Sequence, residues 1–382
     1  MFYIIFQSIV VYAFVIWVLY YLSKQSARTN NYSYVCFALL LYSIIFGLRY
    51  GVGIDTMAYV ADYEEIVKFG ENAERAAKSY ETGFWYLSLL CAKLNFPSEL
   101  YLGIIAFIQL FFSVLAFKNQ KGILPYIFLV FMLSCCFLSY NNGLRQVLAT
   151  SLWLYSLKFA VEKKVLRHYS LIFLAFLFHK SALFLVVFYP LINLTRLEWF
   201  RKIKTQYIIL GASIALMTSK VFVSCYDQIE LLAGLTGYSN YFESNDFSLT
   251  SENNGSYGLG FFLLLFLNVL IISKSKGVKE GLNTPYITKL YDFFFIGICL
   301  SYVFDGSLLL ARINNYFYNS SFIIGGCTLY FLLKSKSKSF YLLLAIYVLL
   351  FLGTLYRGRE NSMYFVFSGQ EDLYYIKQIF KQ

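Results

Sequence analysis

Residues 123–160 read ILPYIFLVFMLSCCFLSY, then NNGLRQ, then VLATSLWLYSLKFA. Two apolar spans, Ile123–Ser139 and Val147–Ala160, flank one polar break, Asn141–Gln146. Amides and a guanidinium are costly at a membrane boundary and do nothing there for folding. With a helix running from Gly143 onward, Asn142, Arg145 and Gln146 fall at i, i+3 and i+4 and share a face. That face is a candidate seat for anions and hydroxyls. The bland alternative is a polar inter-helix turn whose arginine snorkels to headgroups. Both stay open on this stretch alone.

The rest of the chain repeats the pattern. It is 59% hydrophobic, 14% charged and 21% aromatic. Apolar runs near the ~20 residues needed to cross a bilayer recur throughout. The expected fold is an all-α polytopic integral membrane protein of about 12 membrane segments, some broken or re-entrant. Residues 1–382 form one transmembrane domain in this reading, with external loops at 50–82 and 224–257 and an external tail at 357–382. The net charge of +11 does not point to nucleic acid, because most Lys and Arg lie in short loops, as the positive-inside rule requires. The seven Cys show no CxxC spacing, and two His without a metal-ligand pattern predict no metal. Neither GxxxxGK[ST] nor GxGxxG occurs, so no nucleotide motor or other cofactor is expected. Phe2–Leu22 reads as a retained anchor rather than a cleaved signal.

Loop charge sets the orientation. Lys24 and Arg28 place the first loop in the cytoplasm and the N-terminus outside. Tyr50–Thr82 is acidic and external. Phe84–Leu94 is too short to cross and reads as interfacial or re-entrant. Tyr169–Ile192 must return to the side it left, because basic loops flank it at both ends. It is therefore expected to break near His179. Leu308–Leu333 reads as one span, and Asp372–Phe380 as a short amphipathic stretch.

Against this topology a few cations stand on the wrong side. Arg49, Arg145 and Arg312 fall at outer helix ends, and His179 and Lys180 join them if the break is real. Each arginine presents a forked donor set suited to phosphate. An anionic ligand at the outer leaflet explains them together; snorkelling explains each alone. Arg312 is followed by Asn315, Tyr316 and Asn319 at helical spacing, either a binding stripe or a polar helix seam. Gly51 and Gly53 permit a tight turn before Asp55, with Tyr59, Asp62 and Tyr63 beyond it. Asp55 can accept a hydroxyl proton or cap a helix starting at Thr56. His179, with an unperturbed pKa near 6.5, suits a general base, while His168 reads as structural.

Four of these stretches resemble a known family. Phe46–Tyr59 is similar to the R–G–D–Y opening of the EpsG-like, Wzy-type polysaccharide polymerases. Asn142–Ala149 resembles their NxxRQxxA signature and Phe178–Leu183 their FHxSAL signature. Ala311–Phe317 resembles their late RxxxYF element. The resemblance implies glycosyl transfer between undecaprenyl-diphosphate-linked oligosaccharide repeats on the outer face of the bacterial cytoplasmic membrane, for making O-antigen or exopolysaccharide. It implies that Arg145 and Arg312, with Arg49, hold the diphosphate, and that His179 or Asp55 takes the acceptor proton. Tyr59, Asn142, Gln146, Lys180, Asn315 and Tyr316 then contact substrate. Membrane lipids and a chain-length regulator are the further expected partners. A lipid-linked oligosaccharide transporter and an O-antigen ligase are the competing functions.

Overall fold

The computed structural model describes residues 2–189, 198–219, 258–304, 308–358, 363–370 and 372. The expected loop at 224–257 and all of Asp372–Phe380 but its first residue lie outside them. The described residues fold as helices with no strand. They divide into two compact units, Met1–Asn193 with Gly325–Gln382, and Leu194–Ile324.

The first unit opens with α1 (Phe2–Thr29) and α2 (Ser33–Gly47). The segment at 50–82, expected as a loop, folds into α3 (Thr56–Phe69), a 3-10 turn and α4 (Glu74–Ser79). Then come α5 (Thr82–Lys93), α6 (Ser98–Leu115), α7 (Leu124–Leu133) and α8 (Cys136–Asn142). Next are α9 (Leu144–Val161) and α10 (Val165–Phe178), and a 3-10 turn over Lys180–Val187. The second unit contains α11 (Ile203–Ser219), α12 (Leu259–Leu282), α13 (Pro285–Val303) and α14 (Leu308–Tyr318). The chain then forms α15 (Ser321–Lys334) and α16 (Ser339–Tyr356).

Five of these helices are long and apolar enough to cross a membrane, and six if the bent pair α7–α8 counts as one span. The pair bends by 72°. Cys135 sits at the bend with φ 60°, so Ile123–Ser139 is not the straight span expected. Leu308–Leu333 is also broken, with Asn319 and Ser320 falling between α14 and α15. α5 has 12 residues and rises only ~18 Å, well short of a ~30 Å hydrocarbon core.

Packing sorts the loops of the first unit to two ends. At one end Lys121 donates to the Asn30 carbonyl at 2.6 Å, and Lys118 and Lys334 lie over the rings of Tyr32 and Tyr330. The other end gathers the turns before α3, α5, α6 and α9 and the break after α10. Both ends of α5 lie there: Glu81 meets Arg145 in front of it, and the Phe96 carbonyl accepts from Tyr63 behind it. The C-terminal segment Met363–Ser368 returns to the same end, where Phe365 N–H donates to Ser8 Oγ at 2.8 Å. Small side chains bring the helices close. A Cβ on Gly326 would stand 2.5 Å from the Ile127 Cα.

In the second unit, Arg201 grips Asp292 through two hydrogen bonds of 3.1 and 2.6 Å. Tyr291 donates to Gln206 beside it, and Lys279 lies 4.5 Å over the Tyr291 ring. Gly297 lets α13 lie against the backbone of Phe317 and Tyr318, and Asn314 Nδ2 donates to the Gly297 carbonyl at 3.0 Å.

Candidate active site

The site builds outward from a glycine turn. Gly51 and Gly53 hold φ of 61° and 96°, which an L side chain resists. They fold the chain tightly enough for Ile54 N–H to donate to Asn142 Oδ1 at 2.6 Å. Asn142 closes α8, and Gly143, at the N-cap of α9, separates it from Arg145 and Gln146. The expected shared face of Asn142, Arg145 and Gln146 is therefore absent: the helix breaks at Gly143, and Asn142 Oδ1 anchors the turn instead. Asp55 occupies the N-cap position of α3 but makes no side-chain cap bond, and it is exposed.

Arg145, in the first turn of α9, is the centre. Its Nη1 donates to Glu81 Oε2 at 2.7 Å and to the Ser79 carbonyl. It also hydrogen-bonds the Tyr59 hydroxyl, and its guanidinium carbon lies 5.4 Å from the Tyr80 ring centroid. Burial works against the charge, yet Tyr59 and Glu81 outweigh it and hold the guanidinium above its ordinary value. Burial in turn pushes the Tyr59 phenol up, against the pull of Arg145. Both Tyr59 and Tyr80 pack on Phe84.

The other carboxylate oxygen, Glu81 Oε1, accepts from the backbone N–H of Lys180 at 3.3 Å. The break after α10 is thus tied to the same carboxylate. His179 takes an extended conformation there, φ −157° and ψ 119°, and its Nδ1 pairs with Ser181 Oγ at 2.6 Å. The Lys180 side chain is exposed. Gln146 is buried in the first turn of α9. His168 is buried against the Ser156 carbonyl, a structural role.

Three sequence motifs, the turn before α3, the start of α9 and the break after α10, therefore converge on the Glu81–Arg145 pair. Arg49 does not join them through its neighbours. It is 3% exposed, donates to the Phe46 carbonyl, and is influenced by the hydroxyls of Tyr42 and Tyr12. Arg312, Asn315 and Tyr316 belong to the second unit, on α14. Arg312 is exposed, Asn315 half-buried and Tyr316 buried; Asn319 falls beyond the helix end. Sequence reasoning missed Glu81 and Tyr80. Glu81 sat among seven acids of one segment, and only its place directly before an apolar helix set it apart. Among the described residues no group of His, Cys, Asp and Glu could hold a metal ion.

These features define a multi-pass helical membrane protein with a charged, aromatic-lined centre at one end of its first unit. The model of the EpsG family matches residues 32–368, and the chain belongs to that family, which is associated with polysaccharide polymerisation. No curated protein and no solved structure matches the chain.

Proposed function

We propose that the chain is a polymerase that joins lipid-diphosphate-linked oligosaccharide repeats, of the undecaprenyl type, on the outer face of the bacterial cytoplasmic membrane. The observation that carries this reading is the convergence of three motifs on Arg145. In the reaction, the bond between the donor sugar's anomeric carbon and its diphosphate breaks. A new bond forms from that carbon to an acceptor hydroxyl. The lipid diphosphate leaves with the bonding electrons, and the hydroxyl proton passes to a base. Arg145 holds the diphosphate and offsets its growing charge. Glu81 shares those donors, and a diphosphate competes for them with more oxygens. His179, or Asp55 across the turn, takes the proton. Tyr59 and Tyr80 line the sugar path, and Lys180 and Gln146 border it. The family resemblance also assigns Arg312, Asn315 and Tyr316, on α14 of the second unit, to substrate. Counting the shorter apolar helices α2, α10 and α11 with the six candidates gives nine crossings among the described residues, and α9 and the α14–α15 pair bring it to eleven, near the expected 12. The N-terminus and the site then lie outside, where the product, O-antigen or exopolysaccharide, is made. A chain-length regulator is the expected protein partner.

The test is polymerisation in nanodiscs supplied with a lipid-diphosphate repeat unit. Wild type should give a ladder of glycans on a gel. Arg145→Ala should shorten it to the input, a loss of about 100-fold or more in rate. Glu81→Gln should keep the site in place and change the affinity for substrate. A ladder unchanged in Arg145→Ala removes the clamp. No ladder from folded wild type with its cognate repeat brings the transporter forward, and transfer only to lipid A core brings the ligase forward.

A further inference from the structure

The second unit carries charge where a pair of apolar helices has no use for it. α12 and α13 are both long and apolar enough to cross a membrane. Yet Asp292 lies seven residues into α13, ~10 Å from its start, and is 2% exposed. A carboxylate at that depth is expensive, and folding alone does not require it. Arg201 closes the turn Glu198–Arg201 and meets Asp292 through both Nε and Nη2. Lys279, in the last turn of α12, completes the group. Its Nζ lies 4.5 Å from the Tyr291 ring centroid, and it feels the charges of both Arg201 and Asp292.

This group is short of acceptors. Arg201 and Lys279 bring two positive charges, and Asp292 brings one negative. Asp292 spends both carboxylate oxygens on Arg201, and Lys279 forms no ion pair among the described residues. Gln206 is fully buried beside them. Its Oε1 accepts from the Tyr291 hydroxyl at 2.9 Å, while its Nε2 has no hydrogen-bond partner among the described residues. A buried donor left unpaired is costly, and so is a cation withdrawn from water without a counter-charge. Both lack the same thing, an oxygen that carries negative charge. Lys202 and Lys204, exposed just beyond Arg201, make the surroundings more positive still.

The surroundings also say what brings that oxygen. Trp199, two residues before Arg201, is 52% exposed, and tryptophan is enriched at membrane–water boundaries. Phe200 packs on Phe295 of α13, which fixes the turn to the helix. Tyr207 and Ile208 then present exposed apolar surface along α11. An anion seated here keeps its charge at the boundary and has hydrocarbon next to it. That combination describes a lipid headgroup between membrane helices rather than a soluble ion.

We propose that Lys279, Gln206 and Arg201 form a binding site for the phosphodiester of an anionic membrane lipid. Lys279 supplies the unshared charge and Gln206 Nε2 a hydrogen bond. Arg201, oriented by Asp292, supplies the Nη1 that the carboxylate leaves over. The site belongs to the second unit alone and does not rest on the polymerase reading.

The experiment is binding of a fluorescent phosphatidylglycerol to the full chain in neutral detergent micelles. Salt at about 0.3 M screens the exposed charges. Unlabelled phosphatidylglycerol, phosphatidylcholine of the same chains and soluble glycerophosphoglycerol compete in separate arms. Phosphatidylglycerol should displace the probe at a concentration at least about tenfold below phosphatidylcholine. Lys279→Met keeps the side-chain length without the charge and should weaken binding about fivefold or more. Lys279→Arg should retain it. Gln206→Glu puts a carboxylate into the site and should weaken binding likewise, which carries the test if Lys279→Met fails to fold. Lys204→Met removes an exposed charge from the same helix as Gln206 and should change binding less than about twofold. Unfolding temperatures in neutral micelles show which variants are folded. Equal losses in Lys279→Met and Lys204→Met mean diffuse attraction and overturn the site. Equal displacement by phosphatidylcholine overturns the need for an anionic headgroup. Displacement by glycerophosphoglycerol as strong as by the lipid overturns the lipid as occupant.

Discussion

A single glycine sets the geometry on which the candidate centre rests. Gly53 has φ 96°, and a Cβ there would stand 2.5 Å from Asn142 Oδ1. Gly53→Ala should therefore cost about 1–2 kcal/mol in backbone strain alone and loosen the bond from Ile54 to Asn142. Gly70 is the matched control, with φ 58° but open space around its missing Cβ. Thermal unfolding in detergent should show a larger drop for Gly53→Ala than for Gly70→Ala, and the glycan ladder should shorten only in the former. At this scale the sequence was partly readable. A pair of glycines before Asp55 announced a turn, and Arg145 stood out as a cation at an outer helix end. Glu81 was not readable, because its meaning comes from Arg145, more than sixty residues away, and no local pattern encodes that meeting. Asn142 was misjudged because one glycine, Gly143, moves it from the start of one helix to the end of another.

At the scale of elements, the break after α10 depends on how closely α5 approaches it. Gly83 lies in the first turn of α5, and a Cβ there would meet the Leu177 carbonyl oxygen at 2.8 Å. Backbone on backbone cannot yield cheaply, so Gly83→Val should push α10 and the Phe178–His179 break away from Glu81. The expected result is a protein that still inserts but unfolds at a lower temperature and polymerises at least about tenfold more slowly, since sub-ångström placement governs such sites. Wild-type rates in Gly83→Val would show that the Glu81–Lys180 tie carries no function. The break at His179 was legible because two basic loops flank one apolar run, and parity demands an even number of crossings. The bend between α7 and α8 was not. Its cause, Cys135 in a left-handed conformation, leaves no trace in an uninterrupted apolar run. Of the acidic segment before α5 only a helix starting at Thr56 was foreseen, and composition did not reveal that α4 follows it.

For the whole molecule, charge does the sorting. Lys118, Lys121 and Lys334 lie at the end of the first unit opposite the Glu81–Arg145 pair. Single cysteines at Asp55 and Lys164, in a background lacking the native ones, should label differently with a membrane-impermeant maleimide added to intact cells. Asp55→Cys should react and Lys164→Cys should not, and the reverse pattern would turn the proposed site to the cytoplasm. Much of the class of fold was legible at this scale, because bilayer thickness and loop charge are written directly into composition. The number of true crossings was not, since five or six of the described helices meet the length and apolarity expected of one. The return of Met363–Ser368 to the first unit adds a consequence in time. Gln7 bonds Gln370 across 363 positions of sequence. A ribosome making this chain from its N-terminus threads α1 into the bilayer long before Met363 exists. Through most of synthesis, then, the backbone after α2 lacks the partners that Val366 and Ser368 supply, and this pairing comes late in assembly. A chain cut between Tyr356 and Met363 would carry α1 to α16 and still lack this closing segment, which gives quality control a visible mark of an unfinished product.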